Sequence, residues 1–552
     1  MEKRTLLAVT LSFAVFLLWS YIFPTAPVEQ PTRSVPEISV SSSSLSDSAI
    51  SGAGDTFLPQ GQPQAISDQR PVPKTIEVET PLYKVVFLNE GPSIKSFLFK
   101  QYRETVSSDS PFVEFLAPGT GLGGGLVSSG FAPMGIGSLP LFATDSTGIK
   151  LKEGDSSDKL VFSGIDPRTN TMVVYTYSFY ADRYGIDLTV EVINSTETPV
   201  TGSFYSSIRT MKSEGSSGYY SYKGLITYNG KKMEEQGLKK IGDVKNAEGN
   251  VSWAAYKDDY FIMAVAPKTP SVFQGRLTAD NVYNGVLTEQ PVSIPPDSKV
   301  STDFSICISP NKISTLSTEG RQFEKAVDFG WTDIIARPLQ HILLFFEKYF
   351  GNYGVSIILL TILIKIIFWP LSYKSYKSMG EMKKLQPILL KLREKYKGNK
   401  QLMNQEMMNL YRTYKVNPMS GCFPMLIQIP VFFALFRVLG STIELRHAPF
   451  IFWINDLSAP DRLFSFPFSI PLMSQPYGIP VLTLLMGGSM WLQQKMSPAP
   501  GDPAQARIMM LLPIIFTFMF INFPSGLVLY WLVNNILSIG QQYYVTKKIS
   551  SK

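Results

Sequence analysis

Apolar positions crowd the two ends of this chain, and the long stretch between them alternates. After a basic start at Lys3 and Arg4, residues 5–23 are almost wholly apolar. At about 1.5 Å per residue this run reaches about 28 Å, close to a bilayer core of about 30 Å. A cleaved signal peptide has a shorter apolar run and a small-x-small cleavage site. Ser20-Tyr21-Ile22-Phe23-Pro24 offers a poor one. The pattern predicts an uncleaved signal anchor over residues 1–24, its basic start cytoplasmic and the following chain exported. Residues 25–75 are rich in Pro, Ser, Gln and Gly and include Ser41-Ser42-Ser43-Ser44. Such a composition buries too little apolar surface to fold and reads as a flexible tether.

Residues 76–317 carry short runs of alternating hydrophobicity bounded by Gly, Pro, Asn and Asp. Tyr83-Lys84-Val85-Val86-Phe87-Leu88 and Ile186-Asp187-Leu188-Thr189-Val190-Glu191-Val192-Ile193 are examples. Regular short strands with turn signals predict a large β-sandwich. Gly121-Leu122-Gly123-Gly124-Gly125 invites a phosphate-loop reading, but no Gly-Lys-Ser/Thr follows it. Residues 318–352 change to a helical period, with Phe323, Trp331, Leu339, Leu343 and Phe346 among polar neighbours. The segment is too polar to span; it either lies along the outer membrane boundary or packs on the sandwich.

Five further apolar runs follow, over 355–373, 423–439, 479–492, 508–522 and 526–544. The run at 479–492 is short for a bilayer core, which implies local thinning. Between the first two lies a loop, 374–420, dense in Lys and Arg and opposed only by Glu381, Glu394 and Glu406. Positive charge places this loop, and the tail 546–552, in the cytoplasm. Within it, Met379, Met382, Leu385, Ile388, Leu389 and Leu392 recur at helical spacing, Lys397-Gly398-Asn399-Lys400 turns, and Met403, Met407, Leu410 and Tyr414 form a second stripe. The pattern predicts an antiparallel helical hairpin. Met382, Met403 and Met407 serve either as a pliable binding surface or as hairpin packing.

Composition alters this picture little. The chain has 552 residues, 45% of them hydrophobic, and a net charge of +7, with a mean hydropathy of +0.06. The excess charge sits where topology demands it, so nucleic acid is not the expected primary partner. Cys307 and Cys422 are the only cysteines and fall at different depths; His341 and His447 lie far apart. Neither pair suggests a disulfide or a metal site.

The blocks Gln405-Glu406-Met407-Met408-Asn409-Leu410-Tyr411, Lys415-Val416-Asn417-Pro418 and Gly421-Cys422-Phe423-Pro424-Met425-Leu426-Ile427-Gln428-Ile429-Pro430 resemble the signature of the YidC family of membrane-protein insertases. So do Glu444-Leu445-Arg446, Gln494-Lys495-Met496-Ser497-Pro498 and Phe523-Pro524-Ser525-Gly526-Leu527-Val528-Leu529-Tyr530. An anchor followed by a large exported domain resembles the Gram-negative form. The resemblance implies a membrane α-helical fold of six transmembrane helices with a five-helix insertase core over 353–545, plus an all-β periplasmic supersandwich. It implies insertion and folding of inner-membrane proteins, alone or beside the Sec translocon (SecYEG and SecDF). Nascent membrane-protein segments are then the substrates. Membrane lipid, the ribosome and the signal recognition particle receptor are further implied partners. No cofactor, nucleotide, metal or small-molecule substrate is implied, and no enzymatic step. Both termini should be cytoplasmic.

The family's polar groove, closed outward and open to cytoplasm and lipid, directs attention to polar residues inside spans. Lys365 lies about nine residues, roughly 13 Å, before the end of its apolar run. A cation there costs at least about 2.5–3.5 kcal/mol unless it faces water. The family usually has arginine at this place, so a bidentate fork is exchanged for a point charge. Thr361 stands one turn before it, Gln428 lies in the third span, and Trp531, Asn535, Ser538 and Gln542 share one face of the sixth with Asn534 and Gln541 beside them. Singly, such residues often only join neighbouring helices; spread over three spans with a cation, they predict a hydrated groove. A secondary transporter would need intramembrane acids, and the apolar runs contain none. A Ser-Lys hydrolase would need its lysine near the outer surface, and an assembly scaffold would need no groove.

Overall fold

The alternation read in the exported region becomes sheet faces. In the strand Thr171–Phe179, buried and half-exposed positions alternate throughout, with Tyr175, Tyr177 and Phe179 inward. Its antiparallel neighbour Gly185–Asn194 does the same, pairing Leu188 with Tyr177. β-Branched and aromatic side chains suit such half-buried pleated faces. The structure, a computed structural model, describes residues 74–552 apart from 119–124, 133–140, 168, 213–221, 397, 415, 417–422, 498–502 and 551–552. Side chains at 400, 423–427, 503–507 and 549–550 are also left undescribed. The expected anchor at 1–24, nearly all of the tether at 25–75, residues 121–124 of the glycine run, and Lys415, Asn417, Pro418, Gly421, Cys422 and Pro498 therefore lie outside the described residues.

Among the described residues, two sheets of eleven and eight strands form the sandwich. The eight-stranded sheet runs from Met233–Glu235 through Gly224–Tyr228, Trp253–Lys257, Phe261–Pro267, Ser298–Pro310, Gly185–Asn194 and Thr171–Phe179 to Asp158–Asp166. Tyr83, Phe87, Phe97, Phe99, Phe162 and Tyr177 are buried in the core between the sheets.

The outer side of the smaller sheet is also buried. Tyr228, Trp253, Ile262 and Ala264 meet Leu316, Phe323, Ala326 and Phe329 in a second apolar cluster, which continues into the helical region. Helix α1 (Ile313–Thr318) and two 3-10 turns, Phe323–Ala326 and Gly330–Thr332, lead to α2 (Asp333–Phe350). The half-buried Lys257 ammonium donates to Ala326 O at 2.6 Å, tying the sheet to the first turn; loss of solvation pushes its pKa down to about 8. Helix α2 buries Ala336, Leu339, Gln340 and Leu343, and Gln340 donates to Thr442 Oγ1 at 3.4 Å. It packs on the helical region rather than on the sandwich.

That region comprises α3 (Tyr353–Ile367), α4 (Trp369–Lys395), α5 (Lys400–Thr413), α6 (Phe423–Ser441), α7 (Val481–Met496), α8 (Pro503–Phe520) and α9 (Ser525–Ser550). The apolar run 355–373 is not one helix. It breaks at Phe368, and α4 leaves α3 at 67°. The cause is Pro370, in the first turn of α4: proline lacks an N–H, and its ring disfavours helical continuation through the residue before it. Residues 369–373 therefore belong to the first arm of the hairpin, which the sequence reading had begun at 374. Leu385, Leu389 and Val416 form the small hairpin core, with Met382, Met407, Leu410 and Tyr411 packed around it.

Among the described residues, no single helix is long and apolar enough to cross a membrane; the bent pair α3–α4 passes by length and composition together. Gln428–Ser441 and Ile508–Phe520 are shorter apolar helices.

Candidate functional site

Helix α9 is polar where it is buried. Its N-terminus is held by Ser525, whose hydroxyl donates to Asp456 O at 2.8 Å. Leu527, Val528, Leu529 and Tyr530 then bury an apolar turn. Beyond them the inward positions become Asn534, Asn535, Ser538, Gln541 and Gln542, all buried, whereas Ile536, Tyr543 and Tyr544 are exposed. A water-soluble helix bundle has the opposite distribution.

Four helices meet at this polar surface. From α6, Gln428 Nε2 donates to Asn534 Oδ1 at 2.6 Å and to Tyr530 Oη at 3.3 Å. Asn535 Nδ2 donates to Ser489 Oγ on α7 at 3.0 Å. From α3, Lys365 Nζ donates to Ser538 Oγ at 2.6 Å, and that hydroxyl donates to Asn534 O at 2.7 Å. Tyr376 of α4 lies beside Ser538. No carboxylate of the described residues lies within ion-pair distance of Lys365. Gln541 Nε2 and Gln542 Oε1 are buried with no protein partner among the described residues. The site thus holds more hydrogen-bonding capacity than it satisfies, at a cost of about 1–3 kcal/mol for each orphaned group if nothing else binds it.

The network is polar at one end only. Trp531 packs among Phe432, Phe516 and Phe520, edge-on to the first and last, with ring centroids 4.8, 5.9 and 4.9 Å away. Phe523 extends the cluster to Phe436. This aromatic layer lies toward the end of the bundle where α9 starts, which is also the sandwich end. There the 3-10 turn Ile443–Leu445 after α6 meets the sandwich: Ile443 is buried in the inter-sheet core and Arg446 donates to Glu104 O at 3.1 Å.

Of the residues singled out in sequence, the structure joins Lys365, Ser538, Asn534 and Gln428 through hydrogen bonds, and Asn535 bonds Ser489 apart from them. Thr361 is buried, but its hydroxyl donates to Ile357 O of its own helix at 2.6 Å. Trp531 belongs to the aromatic layer, not to the polar network. Met382 and Met407 pack inside the hairpin, and Met403 is outside that cluster. Lys365 sits nearer a helix end than its apolar run suggested, because α3 stops at Ile367. Tyr530, Ser489 and Tyr376 escaped the sequence reading, although each is a hydroxyl interrupting or flanking an apolar run.

Comparison with known proteins gives two family matches, "60Kd inner membrane protein" over residues 345–552 and "YidC periplasmic domain" over 75–342. Membrane protein insertase YidC of Pelobacter propionicus is 39% identical over 564 residues, covering all of both chains. The same-named protein of Syntrophus aciditrophicus is 39% identical, over 99% of this chain and 100% of that one. This chain belongs to the YidC family. A solved structure titled "Active YidC insertase crystal structure with the first transmembrane domain resolved" aligns with a TM-score of 0.36 and 18% identity, over 85% of this chain and 92% of that chain. In YidC-family terms, the β-sandwich is the periplasmic domain, and the polar network lies in the helical C-terminal region.

Proposed function

We propose that the protein inserts and helps fold inner-membrane proteins, using the polar surface of α9 with Lys365 as a hydrated, positively charged groove. Full-length likeness to proteins named membrane protein insertase YidC supports the activity. One observation carries the groove: α9 turns Asn534, Asn535, Ser538, Gln541 and Gln542 inward and leaves part of their hydrogen-bonding capacity unmet. A client's polar flank would find water and partners there inside the membrane. Its apolar segment would then leave sideways to lipid, driven by about 25 cal/mol per Å² removed from water. Six spans, α3, α6, α7, α8 and α9 together with the anchor at 1–24, put the sandwich outside and the α4–α5 hairpin and both termini in the cytoplasm. The aromatic layer around Trp531 closes the outward end. No covalent step or nucleotide is required. Sec translocon, ribosome and signal recognition particle receptor are the partners this reading calls for.

The test is insertion by purified protein in liposomes, paired with complementation of a depletion strain. Lys365→Arg is expected to retain insertion, and Lys365→Ala or Lys365→Glu to lose it for at least some clients. A cysteine beside Lys365 should crosslink to a nascent chain. Full activity of Lys365→Glu would overturn the role of groove charge.

A further inference from the structure

The connection from α6 to α7 carries a hairpin that the groove does not use. Strands Leu463–Phe466 and Tyr477–Ile479 pair antiparallel. No Lys, Arg, Asp or Glu lies between Leu463 and Ile479. Phe464 is 68% exposed, Phe468 60% and Leu472 77%. Contiguous apolar exposure of this kind marks a contact surface.

The hairpin is tied down at its root. Arg462 donates from Nε to Pro476 O at 2.9 Å and from Nη1 to Ile521 O at 2.8 Å. Asn522 donates to Leu472 O at 2.9 Å and accepts from Ser474 N at 2.8 Å. Ile521 and Asn522 directly follow α8, so these bonds hold the hairpin at that end of the helix. Helix α8 itself exposes Leu511, Ile514, Ile515 and Phe518. The apolar rim of the hairpin therefore continues the exposed apolar face of α8. It does so at the end of the bundle where Arg446 reaches the sandwich.

We propose that hairpin 463–479 is an interfacial anchor seated in the outer leaflet of the bilayer. Continuity with the lipid-facing side of α8 selects lipid as the occupant, and absence of charge removes the cost of burial there. Phe and Leu side chains suit the boundary between headgroups and acyl chains. Arg462 remains at the root, bonded to carbonyls. The inference rests on reading α8 as a membrane helix, and the experiment separates the two.

The full chain, with Cys307→Ser and Cys422→Ser, is reconstituted in liposomes carrying one nitroxide at a time. Labels are placed through Phe464→Cys, Phe468→Cys or Leu472→Cys, with Ile514→Cys on α8 and Lys240→Cys on the sandwich as references. Collision with oxygen is compared with collision with a water-soluble nickel complex. Oxygen should dominate at 464, 468 and 472, as at 514, and the nickel complex at 240. Nickel dominance in the hairpin with oxygen dominance at 514 overturns the anchor alone. Protection from both reagents means a protein occupant and also overturns it. Nickel dominance at 514 defeats the membrane reading of α8. Should the cysteine-free protein fail to fold, a photoactivatable lipid applied to the native chain should label peptides from 463–479; labelling of α8 without the hairpin counts against the anchor.

Discussion

Ser538 is the residue on which the site turns. Its hydroxyl accepts from Lys365 and gives its proton to Asn534 O, with Tyr376 beside it. Removing a partner from a charged donor costs about 1.5–3 kcal/mol. Ser538→Ala should destabilise the detergent-solubilised protein by about that amount in denaturant titrations. Lys365→Met in the same background should recover part of it, because no cation is then left unpaired. A second residue-scale prediction concerns Glu79. Hydrogen bonds from Lys100, at 2.9 Å, and from Lys150, at 3.0 Å, hold its carboxyl down to about 2 from the ordinary 4.5. The folded state binds its proton less tightly than the unfolded one, so the stabilisation is complete above pH 4.5 and fades as pH falls toward 2. The Tm gap between the wild type and Glu79→Gln should be constant above pH 4.5 and close across that window.

Helices α7 and α8 touch through a glycine. A Cβ on Gly487 would collide with Thr517 Oγ1, so this close approach requires the missing side chain. Small residues allow such contact between helices in lipid. Gly487→Ala should cost about 1–3 kcal/mol through overpacking. Thr517→Ala should relieve most of that cost in the double variant, as denaturant midpoints would record. The pairing bears on the groove because Ser489, which bonds Asn535, lies just beyond Gly487 on α7. The break between α3 and α4 works at the same scale. By ending α3 at Ile367 it places Lys365 in the last turn, beside the elbow from which the hairpin departs.

Across the whole molecule, sandwich and bundle share apolar material in both directions. The cluster around Trp253 continues through the turns before α2 into the helices, and Ile443 enters the inter-sheet core from the bundle side. Lys312 and Glu444 add an ion pair at 3.7 Å, partly exposed and of small value. Ile443→Ala should destabilise the sandwich by about 2–5 kcal/mol. In the full chain this would appear as a lowered unfolding midpoint of the β domain. An unchanged midpoint would show that the contact carries no load. The Glu444-Leu445-Arg446 block, visible in sequence only as a family motif, is thus a joint between the two halves.

The sequence alone determined what depends on local periodicity and charge: strands from alternation in Thr171–Phe179 and Gly185–Asn194, helices from apolar runs, the polar stripe of α9, and the family from its motif blocks. Spacing of 4, 3 and 4 places Trp531 on the same helix face as Asn535, Ser538 and Gln542, but a face does not say which neighbour it meets at each height. Tertiary packing decided that Trp531 closes the aromatic layer while Ser538 holds Lys365. Hydroxyls such as Tyr530 and Ser489 were unreadable as site residues because their meaning comes from a partner on another helix. The break at Phe368 was legible in Pro370 and went unread. The joint at Ile443 was not legible, since its partners are far away along the chain and only folding brings them within contact distance.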